Sequence, residues 1–276
     1  MRLFIVALFL SAFAYSQEWY HKIRFKDGKI NSEGWTLNDI KNGYWKFYFK
    51  NGQVSKEGHF KNGKKDGFWA FYNSDGQLTE KGHFLNDLKT SYWTVYKDNQ
   101  IIEKGHYNNN KRIGHWMFFY DNRQLKEEGY YKNGLKTNFW KTYYDNGKLA
   151  YQGHFFNGNQ DGYWVFYYEN GQLKKDGQFK LGKSISYWQF YNPNGKKTSE
   201  GHFKNGKKQN WWLFYDENEK INHKCQLHNN QKNGYCLKYK NEKLISAIKF
   251  KNGKRIKEWT DLKSFKKENK LSDLRN

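Results

Sequence analysis

The 276-residue sequence has one proline, Pro193, and few aliphatic side chains, and its mean hydropathy is −1.14. The core of a layered globular domain normally requires Leu, Ile and Val. Aromatic residues make up 20% of the chain, so Trp, Tyr and Phe must supply most of the buried area. Such a composition favours a thin β-sheet over a compact globule.

Arginine is also scarce. Only 6 of the 49 basic residues are Arg, although the net charge is +22. Proteins that read bases or grip phosphates favour the bidentate Arg fork, and here Lys is spread evenly along the chain. The charge therefore argues against nucleic acid as a partner. It suits a solvated surface, or an exported protein that meets anionic lipid or polysaccharide.

Long apolar runs are confined to the start of the chain. Leu3 to Phe13 is too short to span a bilayer as a mature helix, and it follows Arg2. Small residues, Ala14 and Ser16, precede a cut before Gln17. We interpret residues 1–16 as a signal peptide and expect a periplasmic, outer-envelope or secreted protein. An uncleaved N-terminal anchor is the alternative.

Motifs of catalysis are missing as well. The sequence contains no Gly-x-Ser-x-Gly, phosphate-binding Gly-rich loop, His-Glu-x-x-His or Cys-x-x-Cys, so we expect neither an enzyme nor a cofactor. Five histidines do recur at one position. Equivalent strands lie about 9.6 Å apart whereas metal ligands lie within about 2.1 Å of the ion, so we interpret the row as a repeat feature and not as a metal site. These are His59, His83, His106, His154 and His202.

Tryptophan recurs at a fixed interval. Every step is 24 residues except that from Trp93 to Trp116, which is 23 and whose missing residue we place in a turn around Asp98-Asn99. The period predicts about ten β-hairpin modules over residues 17–259, followed by a basic polar tail or cap at 260–276. The expected repeat core is Trp45, Trp69, Trp93, Trp116, Trp140, Trp164, Trp188 and Trp212.

Each module contains two strands and two Asn-Gly or Asp-Gly turns, which favour the positive φ of type I′ hairpins. Because side chains alternate along a strand, Trp45 and Phe47 share one face and Tyr48 lies on the other. A two-residue first turn and a four-residue second turn place Gly58 opposite both Trp45 and Trp69. The glycine then leaves the space in which an indole lies.

Degenerate copies mark both ends, as is usual for repeat proteins. His21 stands where the first Trp belongs, and Cys236 stands at the last Trp position. Trp259 closes the pattern in this interpretation. The tail beyond it has weak helical spacing and is expected to be a short cap or disordered.

The pattern Gly-x-Trp-x-x-Tyr, then Asn-Gly and Glu-Gly-x-Phe, resembles the MORN repeat, and most closely the bacterial variant of the YwqK-family antitoxins. The resemblance implies an all-β protein, an elongated single-layer antiparallel sheet of tandem 24-residue β-hairpins. It implies binding or scaffolding rather than catalysis. A protein partner or a toxin is therefore expected. An export signal, however, would be of no use to an antitoxin against a cytosolic toxin.

For partner contact we favour the face opposite the tryptophans, because Tyr is amphipathic and common at interfaces. The alternative is that these tyrosines pack across strands and stiffen the sheet. We expect the repeated Glu57, Glu128 and Glu200 to pair with Lys across strands. The candidate binding residues are Tyr48, Tyr72, Tyr96, Tyr143, Tyr167, Tyr191 and Tyr215.

The two cysteines replace one Gly and Trp pair of the repeat. Cys225 lies 13 residues after Trp212, at the Gly position, and Cys236 lies 24 after it, at the Trp position. Directly opposed residues bring their Cβ atoms within reach of a disulfide. We therefore predict a Cys225–Cys236 bond in an oxidising compartment, with two unrelated thiols as the alternative.

Overall fold

The structure, a computed structural model, describes residues 17–274. The predicted signal peptide, residues 1–16, lies outside the described residues, as do the last two residues of the tail. No helix in the described part of the chain has the length and apolar character needed to cross a membrane.

The described residues form 21 strands, one α-helix and one short 3₁₀ helix. The strands, most of them eight or nine residues long, exceed the length of about five expected from the sequence. They are β1 Glu18–Arg24, β2 Ile30–Leu37, β3 Ile40–Tyr48, β4 Val54–Lys61, β5 Lys64–Tyr72, β6 Leu78–Leu85, β7 Leu88–Lys97, β8 Gln100–Asn108, β9 Lys111–Phe119, β10 Leu125–Lys132, β11 Leu135–Tyr143, β12 Leu149–Phe156, β13 Asn159–Tyr167, β14 Leu173–Lys180, β15 Lys183–Tyr191, β16 Lys197–Lys204, β17 Lys207–Tyr215, β18 Ile221–His228, β19 Gln231–Lys240, β20 Lys243–Lys251 and β21 Lys254–Trp259. The helix α1 spans Leu262–Glu268, and the 3₁₀ helix spans Leu271–Leu274.

All 21 strands belong to one antiparallel sheet, as the repeat predicted. Two compact units can be distinguished, one holding β1–β7 and the other β9–β21, with β8 divided between them. Within each unit every strand pairs with its neighbours in sequence, from β1 with β2 to β20 with β21. The fold therefore rests on contacts between adjacent segments, which is typical of repeat proteins.

The first turn of most modules is a three-residue loop and not the predicted two-residue turn. In the fullest copy, the Phe49 N–H donates to the carbonyl of Gln53 and the Gly52 N–H donates to the carbonyl of Phe49. Gly52 has a φ of 90°, while Asn51 is not left-handed. This is a type I turn followed by a left-handed residue, the next most common hairpin connection after type I′ and II′.

The second turn has the two-residue type I′ form. Asn62 and Gly63 both have positive φ, at 51° and 77°, between paired Lys61 and Lys64. A four-residue loop was therefore the wrong expectation at this position. The short module between Trp93 and Trp116 has two left-handed residues, Asp98 and Asn99, where its neighbours have a three-residue loop.

A bulge before each Trp restores the predicted register despite the different turns. In β13, Trp164 pairs with Gly153, whereas Asp161 pairs with His154, so two extra residues lie between them. One of the two, Gly162, is left-handed with a φ of 76°. Gly, Asn or Ser occupies this position in the other modules because those residues tolerate positive φ better than branched or bulky ones.

Each module Trp lies flat over the glycine of the preceding strand. A Cβ added to Gly153 would overlap the indole of Trp164, and Trp164 is fully buried although the sheet has a single layer. The indole Nε1 donates to the carbonyl of His154 at 3.1 Å, an acceptor that the bulge makes available. All eight predicted core tryptophans are 0–2% exposed.

The hairpin of β18 and β19, which we call the last hairpin because it is the last to follow the module pattern, contains the predicted disulfide. Cys225 and Cys236 are directly paired in β18 and β19, with Cα atoms 4.0 Å apart and sulfurs bonded. They pack with Trp212, Leu227 and Ile248 on the side of the module tryptophans.

Trp259 does not close the tryptophan pattern. The bulge in β21 contains one extra residue, Ile256, in place of the usual two, so Trp259 pairs with Ala247 and lies on the opposite face. There it packs with Tyr235 and Phe265. Phe265 belongs to α1, whose first turn is capped by Asp261. Residues 261–274 of the tail are therefore a helical cap, one of the two forms that the sequence allowed.

Candidate functional site

The sheet has two chemically different faces. The Trp face carries the module tryptophans and their neighbouring Phe rings; for example, Phe60 stands edge-on to Trp69 with ring centroids 5.0 Å apart. The Tyr face carries the residues that alternate with these, including Tyr44, Tyr48 and His59. Because side chains alternate along every strand, the repeat extends both surfaces from module to module.

Cations cover the indoles on the Trp face. The residue four positions before Trp places its charge over the ring: Lys89 Nζ lies 4.0 Å from the centroid of Trp93, and Lys208 Nζ lies 3.9 Å from that of Trp212. This cation–π contact adds to the cover of the indole, although Trp164, with Gln160 at that position, is equally buried by its neighbouring rings. The same contact recurs at Lys41, Lys65, Arg112 and Lys136.

Some of these cations form a salt bridge with a carboxylate, whereas Lys41 and Lys208 have no such salt bridge among the described residues. Lys89 bonds Glu80 at 2.7 Å, and Lys136 bonds Glu127 at 2.6 Å. For Lys208, burial alone lowers the pKa of the ammonium group. Burial is also the main reason that the pKa of Lys41 is lowered, with nearby Lys56 adding to it. The Trp face thus carries desolvated positive charge.

The structure places the predicted tyrosine row on the Tyr face, but mostly half-buried. The Tyr48 hydroxyl donates to Glu33 Oε1 at 2.6 Å, Tyr72 to Glu57 at 2.8 Å and Tyr143 to Glu128 at 3.0 Å. Two further members also have polar partners: Tyr191 bonds Gln189, and Tyr215 bonds Glu200. Tyr96 lies under Lys81, and the Tyr167 carbonyl accepts a hydrogen bond from Tyr144.

These contacts change the acidity of the tyrosines. Burial and then the hydrogen bond to Glu57 raise the pKa of Tyr72 to about 12. Burial and the bond to Glu128 raise the pKa of Tyr143 to about 12 as well. A hydroxyl already committed to a neighbouring strand is less available to a partner. The geometry favours cross-strand stiffening for this row, the alternative that the sequence left open.

The repeated glutamates accept hydrogen bonds from the tyrosine hydroxyls more consistently than they form ion pairs with cross-strand lysines. Only Glu57 follows the prediction, with cross-strand Lys46 at 3.9 Å. Glu128 approaches His115, and Glu200 bonds Lys197 of its own strand. Burial raises the pKa of Glu200, but the bonds from Lys197 and Tyr215 outweigh it, and the pKa is lowered.

A second aromatic row on the Tyr face was missed in the sequence. It occupies the position directly before each module Trp, and its rings are far more exposed: Phe139 is 38% exposed, and Tyr163 is 52% exposed. We name it the aromatic row. The signal was present, since an aromatic residue before a buried Trp must point to the opposite face. Its exposed members are Tyr44, Phe68, Tyr92, Phe139, Tyr163 and Tyr187.

The histidine row stands beside the aromatic row. His59 lies edge-on to Tyr44 and His154 edge-on to Phe139, both with centroids 5.1 Å apart; His83 and His202 do the same with Phe68 and Tyr187. Among residues 17–274 there is no group of three or more His, Cys, Asp or Glu suited to hold a metal ion. The imidazoles pack against rings.

One position of the aromatic row is covered by the C-terminal helix of the chain itself. Tyr235 directly precedes Cys236 and is only 4% exposed, because Phe265 of α1 packs edge-on against it with ring centroids 5.6 Å apart. The Tyr235 hydroxyl also donates to Asn269 Oδ1 at 2.6 Å. An apolar side chain on a short helix therefore fits over a member of this row.

Comparison with known proteins agrees with the repeat. Five segments match the MORN repeat variant. They are residues 41–62, 112–133, 140–157, 160–181 and 187–205. Each MORN-variant segment overlaps one module defined by Trp and Gly. No curated protein matches the chain.

Two solved structures show a remote likeness to this chain. A mutant of S. aureus TarM, in complex with Fondaparinux, alpha-GlcNAc-glycerol and UDP, is 14% identical, with a TM-score of 0.24; the match covers 34% of this chain and 19% of that one. The Photorhabdus luminescens Tc holotoxin pore is 13% identical, with a TM-score of 0.20, and the match covers 84% and 14%. This chain thus spans less than a fifth of either neighbour.

Proposed function

We propose that this chain is a non-catalytic binding or scaffolding protein of the cell envelope or exterior, and that its Tyr face contacts a protein partner. The exposed aromatic row is the observation that carries the proposal. Each of the two compact units exposes three rings of this row, which soluble proteins seldom do, and Tyr and Phe are enriched at interfaces. The Cys225–Cys236 bond is compatible with an oxidising compartment outside the cytosol.

Phe265 shows the kind of contact that the row can make. It buries Tyr235 and Trp259 with edge-on ring contacts at 5.6 and 5.5 Å. A partner that presents apolar side chains at the module spacing of about 9.6 Å would meet successive members of the aromatic row in the same way. The half-buried tyrosine row, in this proposal, holds the strands in register beneath the contact surface.

Two triple variants test the assignment. Replacing Phe139, Tyr163 and Tyr187 by Ser should abolish capture of a partner from envelope extract while the circular dichroism of the sheet is retained. Replacing Tyr143, Tyr167 and Tyr191 by Ser is the matched control in the same strands, and should lower thermal stability while capture persists. Loss of capture only in the second variant would contradict the proposal and show that the tyrosine row contacts the partner.

A second candidate is the binding of anionic lipid or polysaccharide through the Trp face. The desolvated ammonium groups of Lys41 and Lys208 favour it, since their pKa values are lowered by burial. Retention on anionic vesicles or a polyanionic glycan should then fall steeply between low and high salt. Unchanged retention would exclude this candidate.

The resemblance to YwqK-family antitoxins suggests a more specific partner, a toxin neutralised by occlusion of its active surface. The same aromatic row would make the contact. Co-expression with a toxin-like gene encoded next to this one should rescue growth, and the Phe139, Tyr163 and Tyr187 variant should not. Growth arrest in the presence of the unaltered chain would remove the toxin from consideration.

A further inference from the structure

Among residues 17–274, the first strand, β1, pairs with β2 alone, so its outer edge is unpaired in this part of the chain. Its residues are exposed except for half-buried His21, and apolar Trp19, Tyr20 and Ile23 are 53%, 47% and 47% exposed. Natural edge strands are normally shielded by proline, by several lysines or by a covering element. The C-terminal edge strand β21 is more strongly shielded. It carries Lys254, Arg255 and Lys257, and α1 packs on its Trp259, whereas β1 carries two basic residues and has no such helix among residues 17–274.

The free edge of β1 has a defined set of outward-facing backbone groups. The Gln17 carbonyl accepts from the Asn38 N–H, and Phe25 N–H donates to Lys29, so the odd-numbered residues turn their backbone toward β2. Backbone direction alternates along a strand, so the N–H and C=O groups of Glu18, Tyr20, Lys22 and Arg24 point away from the sheet.

The sequence of β1 is complementary to itself. When a second copy runs antiparallel with a two-fold axis at His21, Glu18 faces Arg24, Trp19 faces Ile23 and Tyr20 faces Lys22. The register pairs opposite charges, an aromatic with a β-branched residue, and a cation with a ring, all favourable cross-strand pairs. It also brings outward-facing residues opposite each other, which gives about eight backbone hydrogen bonds.

We infer that this chain forms a homodimer by antiparallel pairing of its two β1 strands around His21. The pairing covers Trp19 and Ile23 of both copies, the apolar side chains that the edge leaves exposed. It closes an isologous interface, so no further copies can add at this edge. The inference concerns self-association and stands apart from the proposed contact on the Tyr face.

Sedimentation of the full chain, expressed with its own N-terminal segment, is the first test. A concentration-dependent dimer is expected. Tyr20→Pro removes an outward N–H that β2 does not use, so it should weaken the dimer by at least about tenfold and leave circular dichroism unchanged. Tyr20→Ala is the matched control and should weaken it less. A monomer at all concentrations, or a dimer indifferent to the proline, overturns the proposal.

Charge exchange tests the register. Glu18→Arg or Arg24→Glu alone places like charges opposite each other twice per dimer and should weaken association about threefold to tenfold. The double exchange restores opposite pairs, so it should restore association. A double variant as weak as the single variants overturns the two-fold register.

A symmetric crosslink gives an independent readout. His21 would face its own copy as a non-hydrogen-bonded pair with Cα atoms about 4.5 Å apart, within disulfide range. His21→Cys should therefore oxidise to a covalent dimer, since the only native cysteines are bonded to each other. Lys22→Cys, whose two copies would lie about 7–8 Å apart diagonally, is the control. Equal crosslinking of both variants overturns the register.

Discussion

A regular hairpin and the last hairpin solve the same packing problem with different chemistry. In β12 and β13, the indole of Trp164 lies over Gly153; in β18 and β19, the equivalent positions are Cys236 and Cys225, joined covalently. The bulge is common to both, because Gly234, two residues before Cys236, keeps a left-handed φ of 110°. Only the pair that fills the space has changed.

The difference follows from what lies beyond each hairpin. A regular indole is flanked by rings of the modules on both sides, as Trp164 is by Phe155 at 5.0 Å and Phe179 at 6.0 Å. On the other side of Cys236, the paired residue is Ile248, which stands where a regular module has glycine. No further module Trp follows in the described residues. A disulfide needs no neighbour to hold its geometry, so it is suited to the end of a stack.

The largest effect should come from removal of a regular indole. Trp164→Ala leaves a cavity over Gly153 and removes ring contacts to three Phe side chains, so local stability should fall by about 3–5 kcal/mol. Hydrogen exchange of β12–β14 amides measures it. Tyr163→Ala, at an exposed neighbour, is the control and should cost far less. Equal costs would mean that the indole is not the core of the module.

Filling the space beneath the indole should cost less than removing the indole. Gly153→Ala forces its Cβ against Trp164, and overpacking of this kind costs about 1–3 kcal/mol. In a Trp164→Ala background the same change should cost little, because the space is then free. A double-mutant cycle by hydrogen exchange gives the coupling energy. Additive costs would contradict the packing of the indole on the glycine.

Removal of the covalent pair should have a comparable or smaller effect. Cys225→Ser with Cys236→Ser should cost about 2–3 kcal/mol in β18 and β19, since the loop closed is short. Cys225→Gly with Cys236→Trp should recover part of this stability and make it independent of reductant, because the bulge at Gly234 is already in place. Hydrogen exchange with and without reductant measures both. A serine variant as stable as the parent would contradict the role of the bond.

The smallest expected effect is a difference between the two hairpins in the stability that each loses at alkaline pH. The pKa of Tyr143 is raised to about 12 by burial and by Glu128, so the folded state holds its proton more tightly than the unfolded chain. Stability from this tyrosine is therefore complete below about pH 10 and is lost as the pH rises toward 12. Tyr143→Phe should flatten the loss seen by alkaline titration of β10–β11 amide exchange.

In the last hairpin, Tyr239 occupies the same position, and the position of the glutamate is taken by Lys224. Burial alone raises the pKa of Tyr239. Its alkaline loss should be smaller than that of Tyr143. An equal loss in the two hairpins would show that burial, and not the carboxylate, governs the tyrosine row.

The sequence allowed the repeat, the pairing of Trp with Gly, and the Cys225–Cys236 bond to be predicted because period and alternation determine all three. The turns were assigned wrongly, because both contain Asn-Gly and only the bulge at residues such as Gly162 distinguishes them. Trp259 was misplaced for a related reason: the bulge before it contains one extra residue and not two, which reverses its face. The exposed aromatic row could have been predicted from alternation, whereas its edge-on packing with residues such as His154 is visible only once strands are paired.

Pairing restricted to neighbouring segments also determines how such a chain can fold. Low contact order favours rapid folding, since each new hairpin needs only the strand already in place. A chain that emerges with its N-terminus first can therefore add modules as they appear, without waiting for a distant partner. The disulfide lies within one late hairpin, between residues 11 apart, and there are no other cysteines to compete for either sulfur. Oxidation can thus follow the local folding of that hairpin without any rearrangement of wrongly paired bonds.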